Sequence, residues 1–313
     1  MAPQKARLNE LDYLKCVFII LMIIFHLVYI GDTYPAAKQF VYTFHMPGFL
    51  IISGYLLNRG KPVKAFAHAM LWILIPYLVM EAGYTYMASL LPIREHIDQL
   101  TGWILLDKLF VHPLGPYWYL HTLIICSIVT YVVCKVVYLH GLGQMIILAL
   151  CLWGVSLLGL VSWVNAAYFW VGVVISKSGL NFLEVFRPTY LSLLFVIALA
   201  LFVPGSMDRG TLGGAMIVYL MMSFLLWTYR YFPKRGLKTV HFIGRNTLIL
   251  LLFSPIFTVL SKTFQSALLF EPTGMLFMVV ALLFTLLGCF SIAYLSDRWH
   301  LSRYLFGKEK IIQ

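Results

Sequence analysis

Residues 144–176 form one apolar run without a charged side chain. As a single helix rising 1.5 Å per residue it would be roughly 50 Å long. The hydrocarbon core of a bilayer is only about 30 Å thick. The run must therefore fold in two, and Gly159, Ser162 and Trp163 supply a tight turn and an interfacial ring where the fold would fall. The whole 313-residue chain has the same character, at 61% hydrophobic and 11% charged. A soluble domain carries about 25% charged residues, so water is excluded as the solvent for this chain. It reads as an all-α polytopic membrane protein, one membrane domain over residues 1–313.

Segments near 11–31, 40–57, 69–91, 118–138, 144–160, 162–176, 189–204, 212–229, 241–261 and 275–295 are long and apolar enough to be read as crossings, ten transmembrane helices in all. Charge supports the count. With the amino terminus inside, 18 of the 23 Lys and Arg residues fall on the cytoplasmic side, and only Lys38, Arg94, Lys108, Arg209 and Lys262 fall outside. Fusing 144–176 into one span would move the YRYFPKRGLK cluster outside, against the positive-inside bias. Both termini are thus expected in the cytoplasm. The net charge of +11 marks cytoplasmic loops and not a nucleic-acid partner.

All five cysteines (Cys16, Cys126, Cys134, Cys151, Cys289) lie in apolar runs without the close Cys/His spacing of a zinc site, and read as small packed hydrophobes. The first apolar run follows Glu10 and Asp12, so it is kept as a span and not as a cleaved signal peptide. The outer loop 92–117 contains HIDQLTGWILLDKLF, whose apolar residues recur at helical spacing among acids, as in a helix lying in the interface.

Ionisable groups inside a membrane are costly and mark functional sites by default. Lys15 and His26 are eleven positions apart on one helix, within about 20° of the same face and about 16 Å apart along the axis. Asp12 lies close to that stripe. His45 enters the second span at a depth like that of His26, followed by Pro47 and by Ser53-Gly54, a pair that permits close helix approach. His121, beside Trp118 and Tyr119, adds a third imidazole on the outer side, and Glu81 sits mid-span on the third helix. Each has a plainer reading: interhelical glue for the histidines, an aromatic belt for Trp118 and Tyr119, a buried ion pair for Glu81. No metal is expected, because acidic or thiolate partners at ligand spacing are missing.

Several motifs together resemble the acyltransferase-3 family of bacterial membrane acyltransferases. They are RLNELDYLK at 7–15, the Lys15-x10-His26 spacing, FHMPGFLIISGYL at 44–56, IPYL at 75–78, PYWYL at 116–120 and GRNTL (with Asn246) at 244–248. The FHMP form is most similar to the fucose 4-O-acetylase-like branch. The resemblance implies a multi-pass enzyme of the bacterial plasma (inner) membrane that takes an acyl group, usually acetyl, from cytoplasmic acetyl-CoA. The acceptor would be a hydroxyl of a glycan or lipid-linked sugar. The family's histidine maps onto His26 and its cation onto Lys15, where many members carry Arg. The family's Arg-x-x-Arg at the base of span three is absent, and Lys61-x-x-Lys64 is the nearest replacement.

On this reading His26 is the general base, with His45 orienting it or donating to the oxyanion, and an acyl-histidine is the other route. Lys15, Arg7, Arg59, Lys61 and Lys64 would hold the CoA phosphates, and the pantetheine arm would run along the first helix in a polar channel lined by both imidazoles. A proton-coupled transporter using His and Glu81 is the rival from another class, and a purely structural scaffold the third. The bilayer is a certain partner, and a homo-oligomer is compatible with all three.

Overall fold

The computed structural model describes residues 8–91, 95–139 and 141–313. Among them every regular element is helical: α1 (Asn9–His26), α2 (Val28–Thr33), α3 (Pro35–Leu56), α4 (Val63–Leu90), α5 (Gly102–Phe110), a 3₁₀ turn (Gly115–Tyr117), α6 (Trp118–Val136), α7 (Leu142–Leu157), α8 (Trp163–Lys177), α9 (Phe182–Val185), α10 (Leu191–Phe202), α11 (Leu212–Tyr231), α12 (Lys234–Arg245), α13 (Thr247–Leu260), α14 (Lys262–Leu268), α15 (Met275–Arg298) and α16 (Leu301–Phe306).

A helix stands at each of the ten apolar segments, but they differ in how well they meet the demands of a bilayer. Four units, α4, the 3₁₀ turn with α6, α11 and α15, are long and apolar enough to cross a membrane by themselves. The first and ninth segments are not single rods. α1 stops at His26, where Leu27 leaves the helical region at φ −66°, ψ 106°. The ninth is bent by 81° between α12 and α13. At that corner the Asn246 side chain donates to the Phe242 carbonyl (2.8 Å), closing the end of α12. The sequence KRGLKTVHFIGR gives α12 a strongly basic face, which suits a helix on the surface and not one through lipid.

Two of the crossing helices lie largely outside the core: only 17% of the most apolar window in α4 and 22% of that in α15 lies inside the protein. α1 and α3, which carry the polar side chains, hold the centre, with Leu14, Phe18, Ile19, Ile23 and Leu50 wholly buried. Lipid tails are as apolar as Leu, so association in a bilayer relies on close packing and polar contacts. The closest packing joins α3 to α8. A Cβ on Gly54 would run into the Phe169 carbonyl, and one on Gly172 into the Ile51 carbonyl. Two residues after Gly54 α3 ends at Leu56, and Arg59 then donates to Val173 O (3.3 Å) and Ser176 Oγ (3.2 Å). α3 and α8 therefore run in the same direction.

The 144–176 run is indeed two helices. Gly159 takes φ +76° in the turn between them, and Trp170 Nε1 reaches back to Met145 O (3.0 Å), so α7 and α8 are antiparallel. In the 92–117 loop, Thr101 caps α5 by accepting from Ile104 N (3.2 Å). Trp103 on this helix is 81% exposed. The cysteine reading holds for Cys16, Cys126 and Cys289, which are buried, whereas Cys151 is exposed on the outside of α7.

Candidate active site

The end of α1 opens into a polar cavity of about 340 Å³. His26 lines it together with Asp32, Lys38, Tyr42, Glu95, Trp118 and Lys262, and with Ser254, Pro255 and Thr258 of α13. His26 Nδ1 lies 2.7 Å from the Met22 carbonyl. A carbonyl can only accept, so Nδ1 carries the proton and Nε2 is left with its lone pair. Lys38 enters the same cavity from α3. Its ammonium sits beside Gly31, where a Cβ would come within 3.0 Å of Nζ, and 5.8 Å from the centre of the Tyr42 ring.

His45 is held in the same way, with Nδ1 donating to Val41 O at 2.7 Å. It is 1% exposed and does not line the cavity. Tyr42 stands between the two imidazoles, 6.2 Å from His26 and 5.2 Å from His45, centre to centre. Among the described residues His45 Nε2 is buried without a hydrogen-bond partner. In this tautomer it accepts and cannot donate, so donation to an oxyanion would require a second proton on the ring. Trp118 forms part of the cavity wall and carries the Arg209 guanidinium 5.5 Å above its ring. Arg209 belongs to the loop between α10 and α11, and burial there lowers its pKa from the ordinary guanidinium value. That loop is tied to α3 by Thr43 Oγ1 donating to Met207 O (2.6 Å). Ser53 pairs with the Tyr119 hydroxyl at 2.7 Å, joining α3 to α6.

Glu81 and His121 are placed elsewhere. Glu81 is completely buried, and its Oε1 accepts from Leu114 N (2.7 Å) and Thr85 Oγ1 (3.4 Å). No cation pairs with it among the described residues, and Oε2 has no partner there. It fixes the turn that leads into PYWYL and so shapes the cavity wall at Gly115 and Pro116. His121 Nε2 donates to Phe110 O (2.9 Å) while the Tyr77 hydroxyl donates to Leu109 O (2.8 Å). Both pin the end of α5.

At the other end of α1 the charges gather. The buried Asp12 carboxylate pairs with Lys15 Nζ at 2.8 Å and Arg245 Nε at 3.3 Å. Gly244 lets α12 approach, since a Cβ there would strike the Asp12 carbonyl. Asn246 exchanges two bonds with the backbone of Gln313, at 2.9 and 3.1 Å. Arg245, Asn246 and Gln313 border a second cavity of about 460 Å³, lined also by Lys61, His68, Trp72 and Lys308, whereas Asp12 and Lys15, held in their ion pair, do not line it. Of the residues expected to meet CoA phosphates, Lys61 lines this cavity, Lys64 is exposed outside its lining, and Arg59 is bound to α8. Arg7 lies outside the described residues. Among the described residues no three His, Cys, Asp or Glu side chains are grouped to hold a metal.

Most of the chain, these sites included, falls within the match to a known domain. A family model, Acyl_transf_3, described as an acyltransferase domain, matches residues 8–294. The chain belongs to the acyltransferase-3 family. It is thus a membrane-embedded acyltransferase, and the transporter reading gains no support. Neither the curated proteins nor the solved structures contain a match.

In this acyltransferase-3 enzyme His26 lines one cavity, and Arg245, paired with Asp12 near the start of α1, lines the other. The α1 stripe from Lys15 to His26 is not an open channel in this structure. Between them Phe18 is wholly buried against Phe49 (5.5 Å) and Phe44 (6.2 Å), in the space left by Gly48, and Met22 is also buried. Lys38, Tyr42 and Arg245 were not among the residues predicted from sequence. Lys38, Tyr42 and His45 follow an i, i+4, i+7 spacing on α3, the signal that could have found the first two. Arg245 was within reach through GRNTL.

Proposed function

We propose that this acyltransferase-3 protein is an O-acetyltransferase of the bacterial plasma membrane. It would take acetyl from acetyl-CoA at the basic, cytoplasmic end of α1 and pass it to a hydroxyl of a glycan or lipid-linked sugar held in the cavity at His26. One observation carries the reading: the bond from His26 Nδ1 to Met22 O leaves Nε2 as a base in the wall of a polar cavity.

In the proposed reaction Nε2 takes the proton of the acceptor hydroxyl as its oxygen attacks the thioester carbonyl. The tetrahedral intermediate collapses with cleavage of the C–S bond. The CoA thiolate leaves with the proton returned by His26, and the acceptor keeps a new ester. The last carbonyls of α1 place partial negative charge by the ring and favour the imidazolium formed on the way. Lys38 is the cation at hand for the developing oxyanion. Lys61, Arg245 and Lys308 would meet donor phosphates, with Asn246 offering an amide to the pantetheine arm. Joining the two ends requires the Phe18 contact to open.

The test is transfer of radiolabel from acetyl-CoA into membrane material by the purified full chain in vesicles. His26→Ala should lower the rate by about 10²–10⁴, the usual worth of a general base, with insertion and yield unchanged. A loss under tenfold would remove His26 from the chemistry.

A further inference from the structure

A second groove, about 310 Å³ and almost entirely apolar, runs between α4 and α13 on the lipid-facing side. Val79, Met87, Ile256 and Leu260 on its walls are all exposed. Dents of this kind on a membrane protein are ordinarily filled by bulk lipid. This one differs in its position, because Tyr84, Pro255 and Val259 line both the groove and the His26 cavity. The two spaces are neighbours across a single layer of side chains, one polar and one apolar.

The partition has the composition that a bound amphiphile needs. Tyr84 offers an apolar ring with a polar tip, and Pro255 bends the carbonyl ladder of α13, with the Tyr117 hydroxyl donating to Leu252 O (2.8 Å) one turn earlier. Lys262 follows Leu260 by two residues and lines the polar cavity, a cation at the outer end of the apolar wall. On the α4 side the wall is opened by Gly83, beside which a Cβ would meet nothing within 4 Å. A glycine inside a helix costs roughly 1 kcal/mol relative to alanine, and here no close packing requires it.

We infer that the acceptor is lipid-linked, with its sugar in the His26 cavity and its hydrocarbon tail in the groove between α4 and α13. Resting on the transferase reading above, this narrows the acceptor from any surface glycan to one still attached to a tail within the bilayer. A sugar so attached reaches the base by lateral diffusion and needs no passage through the protein.

Gly83 lines the groove and a Cβ there meets nothing within 4 Å, so Gly83→Leu projects into that space, and Gly154→Leu on α7, where a Cβ also meets nothing, is the matched control. Vesicles containing the full chain are given radiolabelled acetyl-CoA and lipid extract from a strain lacking the protein, and product is partitioned between butanol and water. In parallel, a dodecyl glucoside with a diazirine in its tail is photolysed in the same vesicles and its attachment sites are mapped. Label should enter the butanol phase, and Gly83→Leu should lower that transfer at least about tenfold, the scale of a steric mismatch in an apolar pocket, while Gly154→Leu does not. Crosslinks should fall on α4 and α13 and be lost in Gly83→Leu. Label confined to water-soluble product, or full transfer by Gly83→Leu, overturns the tail site and leaves the transferase reading standing. If the wild-type chain moves no label, the transferase reading fails, and the photoprobe alone decides the groove: crosslinks that Gly83→Leu removes sustain it, and crosslinks that survive mark bulk lipid and overturn it.

Discussion

Replacing Asp12 by Asn separates the two tasks that its neighbours could have. The carboxylate is buried and bridges Lys15 Nζ at 2.8 Å and Arg245 Nε at 3.3 Å. Removing one member of a buried ion pair costs about 3–5 kcal/mol. Here the cation side chains are 18% and 35% exposed, so solvent recovers part of their charge and the cost should fall to about 2–3 kcal/mol. Thermal unfolding in detergent should therefore drop by several degrees. Donor affinity should move the other way. If Lys61, Arg245 and Lys308 meet CoA phosphates as proposed, Asp12 is a like charge roughly 8 Å from them, repelling by about 0.5 kcal/mol in a water-like medium and about 2 kcal/mol at an effective dielectric of 20. Asp12→Asn should then tighten acetyl-CoA binding on the order of two- to thirtyfold, read by calorimetric titration. A destabilised variant with unchanged or weaker donor affinity would show that the cluster only ties α1 to α12.

Lys38→Met should lower the transfer rate by about 10²–10³ with little change in acetyl-CoA affinity, as loss of an oxyanion donor does; an unchanged rate in the vesicle assay would leave the ammonium no part in the chemistry. Gly54→Ala places a methyl group against the Phe169 carbonyl and Val173 N, which are backbone atoms of a packed helix. It should cost about 1–3 kcal/mol as an overpacked interface does, and an unaltered melting curve would contradict the close α3–α8 crossing.

The sequence made the helical class legible because the apolar runs are long and their turns carry glycine. It also placed His26 and Lys15 at opposite ends of one helix, which needs only the helical repeat. It did not reveal that α1 ends at His26, since Leu27 and Val28 continue the apolar run and only the backbone angles break it. The corner at Asn246 was hidden for a related reason: hydropathy continues through 241–261, while the bend is set by a side-chain amide and by packing of Gly244 on Asp12. His121 and Glu81 looked like site residues by depth alone. Their partners are the Phe110 carbonyl, at the end of α5, and the Leu114 amide beyond it, and helical spacing within the outer loop does not tell where that loop folds back on the bundle. Arg59 was expected among phosphates for its charge and is instead occupied by the end of α8.

The three phenylalanines at 18, 44 and 49 bear on bioenergetics as well as on catalysis. Files of water conduct protons, and an energised membrane loses its gradient through any hydrated thread. Interlocked aromatic rings midway along α1 leave no room for such a thread, and on the reaction proposed above a thioester arm would have to part them, so turnover and leakage would be governed by the same three side chains.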